Sequence, residues 1–157
     1  MKAWEEELIP CDHSLNVKQS QVPPRQVSAQ GNYYLFTYTY MSNITFAFII
    51  GAHCFACELN DNLWLCLTCG NLGCGRAQFG GLPGNSHALK HFEESHHPVA
   101  VKLGTITAEG EADIYCYSCN DARIDPNLAE DLSNFGINVA TSIKTEKNLT
   151  ELVSWIT

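Results

Sequence analysis

The sequence predicts a small α+β domain, and three observations support this fold class. A chain of 157 residues, of which 45% are hydrophobic, has the size and composition of one globular domain. Short strand-like segments are interspersed with segments of helical composition. Eight cysteines and six histidines are many for so short a chain, and they indicate cross-links that hold these segments together.

Three segments predict a short antiparallel sheet, namely residues 62–67, 99–103 and 113–117. Each is either apolar throughout or alternates between apolar and polar residues, as buried and half-buried strands do. The segments lie in a core domain that we place at residues 51–140. An N-terminal arm of residues 1–26 precedes this core, and a tail of residues 141–157 follows it.

Two further segments predict helices that flank the sheet. Residues 86–94 have helical composition, and His87 and His91 share one face of that helix, where they can bind different ions if the helix lies between two sites. Residues 125–136 form the second helix. We place its N-cap at Asp125, with a proline in the first turn and a glycine at the end.

One stretch of the chain does not fit this small domain. Between residues 26 and 55 there is no Lys, Arg, Asp or Glu, and residues 27–50 form an apolar, aromatic insertion. Residues 34–40 alternate like a strand, and residues 44–50 are a suitable partner, so the insertion predicts a hairpin. A membrane span is the alternative, but polar residues interrupt the stretch and leave no continuous apolar run of about 18 residues.

Cysteine pairs are the clearest motif, and the Cys-x-x-Cys spacing occurs at Cys54/Cys57, Cys66/Cys69 and Cys116/Cys119. Two intervening residues let a tight turn direct both sulfurs at one ion, so this spacing is typical of tetrahedral zinc. The remaining candidate ligands are Cys11, His13, Cys74, His87, His91 and one of His96 and His97. These twelve residues fill three closed four-coordinate sites with no ligand left over.

Closed zinc sites hold structure and do not catalyse, because a catalytic zinc keeps one position open for water. A cysteine nucleophile requires a spare thiol, and the ligand count leaves none. The sequence also contains neither a Gly-rich phosphate loop nor a Gly-x-Ser-x-Gly motif. We therefore predict a binding module rather than an enzyme. A secreted disulfide protein is the alternative that an even number of cysteines leaves open.

The charge of the chain limits its partners. Nine Lys and Arg residues against seventeen Asp and Glu residues give a net charge of −8. A compact domain with this charge has no general attraction for phosphate backbones or anionic lipids, so we expect no nucleic acid and no membrane among its partners. The acidic residues 1–7 lack the apolar core of a secretory signal, which favours a cytoplasmic or nuclear location and reduced cysteines. We expect a monomer.

Several motifs, in order and at matching spacing, resemble the UBP-type zinc finger, and the resemblance is strongest to isopeptidase T-like deubiquitinases. It covers residues 4 to about 150, and its main motifs are Asn62-Leu63-Trp64-Leu65, Cys74-Gly75-Arg76, Gly84-Asn85-Ser86-His87-Ala88, Val101-Lys102-Leu103-Gly104-Thr105 and Asp113-Ile114-Tyr115-Cys116-Tyr117. The resemblance implies three interleaved zinc sites. Their ligand sets would be Cys54/Cys57/Cys74/His87, Cys66/Cys69/His91/His97 and Cys11/His13/Cys116/Cys119.

The same resemblance implies a partner, because the family binds the free C-terminal Gly-Gly of ubiquitin or of unanchored polyubiquitin in a deep pocket. Arg76 would bind the terminal carboxylate, and the walls of a slot narrow enough for glycine would come from aromatic residues. The implied pocket residues are Trp64, Arg76, Phe79, Tyr115, Tyr117, Asn120 and Asp121. Asn120 stands where isopeptidase T has an acidic residue, so contacts with the tail are expected to differ there.

Two alternatives to a self-contained ubiquitin-binding module remain open. The chain can be a truncated part of a ubiquitin carboxyl-terminal hydrolase, or a RING-like scaffold of a ubiquitin ligase that uses the same closed zinc sites. We also hypothesise that residues 27–50 are a retained intron, because the family has far fewer residues here and Val27-Ser28 is what a splice donor would encode. A genuine hairpin insertion is the competing explanation, and transcript reads across residue 26 distinguish the two.

Overall fold

The computed structural model describes residues 7–20, 33–40 and 44–153. The strands within these ranges are β1 (Tyr33–Tyr40), β2 (Ile44–Gly51), β3 (Leu63–Cys66), β4 (Leu72–Cys74), β5 (Val99–Lys102), β6 (Ile114–Cys116) and β7 (Asp121–Arg123). The helices are α1 (Asp12–Leu15), α2 (His87–Ser95), α3 (Leu128–Ser133) and α4 (Leu149–Val153). None of the helices in these ranges has both the length and the apolar character that a bilayer span requires. The predicted α+β class is confirmed.

The strands form two separate sheets. Within the described residues β1 pairs with β2 alone, antiparallel and in register over eight residue pairs from Tyr33↔Gly51 to Tyr40↔Ile44. This hairpin matches the prediction from residues 34–40 and 44–50 to within one residue at each end. The other five strands form one antiparallel sheet in the order β4-β3-β5-β6-β7.

Strand register gives the five-stranded sheet two different faces. Leu65 pairs with Val101, which pairs with Ile114, and these side chains are almost completely buried on one face. They belong to a single buried cluster that also contains Leu128, Leu132, Phe135 and Ile137 from α3 and the chain that follows it. Because side chains alternate along a strand, the neighbouring residues must lie on the opposite face.

Trp64 and Tyr115 lie on that opposite face, and the register brings them together. Trp64 pairs with Lys102 and Tyr115 pairs with Ala100, and residues 100 and 102 share one face of β5. The rings of Trp64 and Tyr115 accordingly meet edge to face, with 6.5 Å between their centroids. One face of the sheet thus forms the core, and the other carries the candidate binding residues.

The predicted strands at residues 62–67, 99–103 and 113–117 all form, each shortened by one or two residues. β4 and β7 were not predicted. Both are only three residues long, and β7 has a charged residue at each end and no buried residue, so neither has a recognisable hydrophobic period. They form because they pair with β3 and β6, which the sequence already placed.

The helix predicted at residues 125–136 begins later and ends as expected. Asp125 is the first residue of a turn and not the N-cap, because its Oδ1 accepts the N–H of Asn127 and α3 begins only at Leu128. The predicted end is confirmed, because Gly136 has a φ of 79° and the N–H of Ile137 donates back to the carbonyl of Leu132. The helix at residues 86–94 corresponds to α2. The one-turn helices α1 and α4 are additional to the two predicted ones.

Candidate metal centres and the adjoining cavity

Twelve cysteine and histidine side chains gather into three groups of four, and within each group the donor atoms all lie within 4.8 Å of one another. The knuckle group is Cys54, Cys57, Cys74 and His87; the helix group is Cys66, Cys69, His91 and His97; the arm group is Cys11, His13, Cys116 and Cys119. These are the three sets that the resemblance implied, although metal ligation itself stays a prediction.

The knuckle group joins the turn at residues 54–57 to β4 and the start of α2. The Nδ1 atom of His87 is 3.3 Å from the sulfur of Cys54 and 3.4 Å from that of Cys74, and the sulfurs of Cys57 and Cys74 are 3.8 Å apart. Backbone N–H groups donate to two of these sulfurs, that of Cys74 to Cys54 and that of Asn85 to Cys74. Hydrogen bonds of this kind orient the side chains that bind a metal ion.

The helix group depends on a left-handed residue at the end of α2. His96 has a φ of 60° and caps the helix, so the chain reverses and His97, rather than His96, joins His91 and Cys69. The Nε2 atom of His91 is 3.3 Å from the sulfur of Cys69. The Nδ1 atom of His97 is buried without a hydrogen-bond partner, which is consistent with a site that a metal ion would complete.

The arm group connects residues that are far apart in the sequence. The Nδ1 atom of His13 lies 3.6 Å from the sulfur of Cys116, 3.5 Å from that of Cys119 and 4.0 Å from that of Cys11. Ser14 holds this arm in place, because its hydroxyl donates to the carbonyl of Ile124 at 2.8 Å. The arm group therefore attaches the N-terminal arm to the edge of the sheet at β7.

The geometry of all three groups fits zinc. A tetrahedral zinc with its usual bond lengths separates two sulfurs by about 3.8 Å and a sulfur from a nitrogen by about 3.6 Å. The individual separations given above run from 3.3 to 4.0 Å, and all donor atoms of a group lie within 4.8 Å of one another. All eight cysteines are free thiols, so the disulfide alternative has no support in the structure.

Each group contains one thiol with a lowered pKa. Although burial opposes it, hydrogen bonds from Ser14 lower the pKa of Cys11 to about 6, and backbone and side-chain N–H groups do the same for Cys57, also to about 6. The hydrogen bond with the Cys66 thiol lowers the pKa of Cys69 to about 4, and the same contact raises the pKa of Cys66. Every group thus supplies at least one thiolate at neutral pH.

A cavity of about 390 Å³ lies beside the knuckle group, on the face of the sheet opposite the core. Its lining residues are Trp64, Gly75, Arg76, Ala77, Gln78, Phe79, Ser86, Leu89, Tyr115, Tyr117 and Asn120. Three aromatic residues among them form a continuous wall. The ring of Tyr115 is 6.5 Å from that of Trp64 and 5.1 Å from that of Tyr117. Phe92 of α2 stacks on the outer side of Tyr117 at 5.4 Å.

The loop that carries Arg76 can approach the wall only because it contains glycine. A Cβ atom at Gly75 would lie 2.6 Å from the indole nitrogen of Trp64, and one at Gly84 would lie 2.2 Å from the carbonyl oxygen of Gly75. An isolated bridge between Arg76 and Asn85 closes this loop. Any larger residue at either glycine would push Arg76 away from the aromatic walls.

Six of the seven predicted pocket residues line the cavity, and Asp121 does not. The carboxylate of Asp121 accepts hydrogen bonds from Arg123 at 2.9 Å and from the N–H of Ala122 at 2.8 Å, which hold it at the edge strand. Asn120 lies in the cavity wall instead, with its Oδ1 accepting the hydroxyl of Tyr115 at 2.8 Å. Phe79 is 99% exposed at the mouth of the cavity.

Sequence reasoning missed several lining residues, among them Gln78, Ser86 and Leu89. Gln78 and Ser86 are small or polar residues in loops, where no periodic pattern exists to mark them. Leu89 lies on α2 between the two ligand histidines and has the ordinary composition of a helix face. Only the fold, which brings the loop and α2 to the same edge of the sheet, reveals them.

Three closed groups of sulfur and nitrogen donors around one apolar core define the chain as a zinc-finger module. Residues 54–128 match the family described as "Zn-finger in ubiquitin-hydrolases and other protein". Residues 54–128 therefore form a UBP-type zinc finger, which confirms the resemblance found in the motifs.

Longer proteins are similar to the chain. Ubiquitin carboxyl-terminal hydrolase 14 of Schizosaccharomyces pombe is 46% identical over 152 residues, which cover 97% of this chain and 17% of that protein. Ubiquitin carboxyl-terminal hydrolase 5 of Homo sapiens is 51% identical over 102 residues, which cover 65% of this chain and 12% of that protein. This chain thus corresponds to a minor part of these hydrolases, namely their zinc-finger region. All eight of its cysteines lie in the three groups of candidate metal ligands.

Proposed function

We propose that the chain is a zinc-dependent ubiquitin-binding module that recognises the free C-terminal Gly-Gly of ubiquitin. The observation that carries the proposal is the cavity beside the knuckle group, where an arginine lies next to a slot with aromatic walls. The names of the similar hydrolases support ubiquitin as the partner. The net charge of −8 agrees with it, since the tail of ubiquitin is basic.

The cavity has the two properties that a Gly-Gly terminus requires. The terminal carboxylate needs a planar cation, and the guanidinium of Arg76 can form charge-assisted hydrogen bonds with both of its oxygens. Glycine needs a slot without room for side chains. The ring of Tyr115 lies next to those of Trp64 and Tyr117, with centroids 6.5 Å and 5.1 Å away, and these three rings narrow the cavity. Phe79, exposed at the mouth, is available to contact the body of ubiquitin.

Three zinc ions would position this cavity through their ligands. Cys74 directly precedes Gly75 and Arg76 in the sequence, His87 follows Ser86, and Cys116 lies between Tyr115 and Tyr117. Fixing these ligands on zinc therefore fixes the neighbouring residues of the cavity wall. Zinc held there would supply structure only, because every group offers four protein donors and would leave no open position.

We further propose that the module belongs functionally to a hydrolase that acts on unanchored polyubiquitin, and that it delivers the free chain end to a separate catalytic domain. A RING-like ligase scaffold would need the same zinc groups but no carboxylate-binding cavity. The cavity therefore favours the hydrolase-related function over the ligase scaffold.

The test is a titration of the chain with ubiquitin and with ubiquitin that lacks its terminal Gly-Gly. Intact ubiquitin is expected to bind and the shortened form to bind at least about tenfold more weakly, since it has lost a charge-assisted carboxylate contact. The variant Arg76→Ala should weaken binding of intact ubiquitin by about 10- to 100-fold for the same reason. Equal binding of both ubiquitin forms would defeat the proposal.

The matched control is Lys90→Ala. Lys90 is also a cation, but it lies on the exposed surface of α2 with its side chain 66% accessible and paired with Glu94. Removing it should change the affinity less than about twofold, because exposed ion pairs contribute little. If Lys90→Ala weakened binding as much as Arg76→Ala, general charge attraction rather than a carboxylate site would explain the binding.

A further inference from the structure

Asn62, immediately before β3, has every polar atom in a hydrogen bond. It is completely buried and has a φ of 55°, a left-handed conformation that Asn and Gly adopt at low cost. Its N–H and carbonyl, its Oδ1 and its Nδ2 all have partners, which come from three different segments of the chain. A buried amide with complete pairing is a strong local constraint.

Two of these three segments line the cavity. The indole N–H of Trp64 donates to Oδ1 of Asn62 at 3.2 Å, which fixes the rotation of the aromatic wall. The Nδ2 group donates to the carbonyls of Arg76 at 2.9 Å and Pro83 at 3.3 Å, and the carbonyl of Asn62 accepts the N–H of Gly75 at 2.8 Å. One side chain thus sets the distance between the wall and the loop that carries the arginine.

The third segment is the C-terminal arm, residues 142–152. Glu146 of this arm accepts the backbone N–H of Asn62 through Oε1 at 3.0 Å, and its Oε2 lies 3.3 Å from the ammonium of the buried Lys102. The carbonyl of Gly104 accepts the N–H groups of Thr145 and Glu146, and a Cβ atom at Gly104 would lie 2.5 Å from the Glu146 side chain. The arm is therefore closely fitted behind the cavity.

We propose that Asn62 is the positioning residue of the cavity and that Glu146 of the C-terminal arm holds it in place. The proposal rests on the proposed function, since the cavity is taken as the site of tail binding. Neither residue lines the cavity. Their effect passes through Trp64 and the loop at residues 75–83, so the C-terminal arm is part of the binding module although the family match ends at residue 128.

The principal test is Asn62→Gly in the full chain. Glycine accepts a φ of 55° without strain, so the variant removes the side chain and leaves the backbone conformation available. Zinc content is expected to stay at the wild-type value, because no ligand is touched. Affinity for ubiquitin should fall by about 10- to 100-fold, as expected when three hydrogen bonds that position the site are lost.

A second measurement on the same variant needs no ligand. The indole N–H resonance of Trp64, identified by its loss in Trp64→Phe, should shift and exchange with solvent faster in Asn62→Gly. A conservative variant distinguishes the contact of Asn62 with Trp64 from its contacts with the loop that carries Arg76. Asn62→Asp keeps the acceptor for the indole but replaces the donor to the Arg76 and Pro83 carbonyls, so the indole resonance should be largely retained while affinity still falls.

Glu146→Gln tests the contribution of the arm, and Glu151→Gln is its matched control. Both changes remove one negative charge from the arm, but Glu146 faces the buried Lys102 whereas Glu151 pairs with Lys144 at the surface. Glu146→Gln should lower affinity for ubiquitin by about tenfold and disturb the Trp64 indole resonance. The reason is that the C-terminal arm, which holds Asn62, loses the ion pair between Glu146 and Lys102. Glu151→Gln should leave affinity within about twofold of wild type, since exposed pairs contribute little.

Each outcome separates the positioning inference from the proposed function. If wild type binds ubiquitin, and both Asn62→Gly and Glu146→Gln bind it equally well with unchanged indole resonances, the positioning inference is overturned and the function stands. If wild type fails to bind ubiquitin, the proposed function fails, and the indole measurements alone decide the inference. If Asn62→Gly loses zinc, the affinity and the indole resonance of Glu146→Gln decide the positioning inference.

Discussion

The two-stranded sheet of β1 and β2 pairs eight residues on each strand, whereas every strand of the five-stranded sheet is three or four residues long. Strands of globular proteins usually have five or six residues. The hairpin follows from local sequence, since its strands are separated by three residues and pair in register. The larger sheet pairs residues as far apart in the chain as Trp64 and Lys102, and its strands are individually too short to persist.

Metal binding at the three groups would explain how such short strands can form a sheet. Cys66 ends β3, Cys74 ends β4 and Cys116 ends β6, and each belongs to a different group of four. The arm group alone connects Cys11 with Cys116. Binding energy at a structural zinc is folding energy, so three ions can replace the pairing that longer strands would supply. The comparison therefore predicts that the two sheets respond very differently to loss of metal.

The largest effect is expected from metal removal. A strong chelator should unfold the five-stranded sheet and abolish ubiquitin binding, because structural zinc sites contribute on the order of 10 kcal/mol each at neutral pH. The measurement is circular dichroism together with metal analysis, and readdition of zinc should restore the wild-type spectrum. A purified chain that contains no metal and remains folded would contradict both this prediction and the zinc assignment.

The second effect compares two groups within the larger sheet. Cys74→Ser removes a ligand that is completely buried and adjacent to the arginine loop, so it should lower the free energy of unfolding by about 3 kcal/mol or more and abolish ubiquitin binding. Cys11→Ser removes a half-buried candidate ligand on the N-terminal arm. It should lower the free energy of unfolding by less than Cys74→Ser does, and ubiquitin binding should be retained. Thermal unfolding and zinc stoichiometry measure the difference. Equal losses in both variants would mean that the three groups fold as one indivisible unit.

Much of this architecture was predictable because it depends on residue type and spacing. The Cys-x-x-Cys pairs predicted cysteines that the structure brings together in three groups, and period-two alternation identified both the hairpin and the central strands. The choice of His97 over His96 required the family resemblance, and the structure gives the reason: His96 is left-handed at the end of α2 and directs the next residue to the group.

The remaining features were not predictable because they depend on long-range contacts. Nothing in the local sequence links Asn62 to Glu146, which is 84 residues away. Asp121 was expected in the pocket because it follows Asn120, but a salt bridge with Arg123 holds it at the edge strand. Asp125 was expected to cap a helix and instead forms a turn, because its side chain bonds to the backbone two residues on.

A third, smaller effect concerns the carboxyl groups of Asp131 in α3 and Asp125 just before it. Helix α3 packs in the same buried core as the five-stranded sheet. Burial, together with the hydrogen bond and charge of Asp125, raises the pKa of Asp131 to about 7. The folded state therefore binds a proton more tightly than the unfolded state, whose aspartate has a pKa of about 3.9. This contribution to stability is present below pH 4 and is lost as the pH rises to about 7.

Asp131→Asn should remove that dependence. The variant is expected to gain stability relative to wild type as the pH rises from 6 to 8, by about 1 kcal/mol or less because solvent partly screens the pair. Thermal unfolding of both proteins at each pH measures it, and the difference cancels the pH dependence of metal binding that they share. Glu109→Gln, at an exposed residue outside the group of charges that raise the pKa of Asp131, is the control, and its difference from wild type should stay nearly constant. An Asp131→Asn difference that also stayed constant would show that the pair does not share a proton.

The smallest effect is expected where the comparison began, at the hairpin. Deleting residues 27–50 joins residue 26 to residue 51 and removes both strands of the two-stranded sheet while leaving all twelve metal ligands in place. Closing a loop of different length changes its free energy by only about 1 kcal/mol or less, so zinc content and ubiquitin affinity should match wild type. Isothermal titration and metal analysis of the deletion variant test this. A variant that bound fewer zinc ions would show that the hairpin supports the metal core, because the deleted residues contribute no ligand that could account for such a loss.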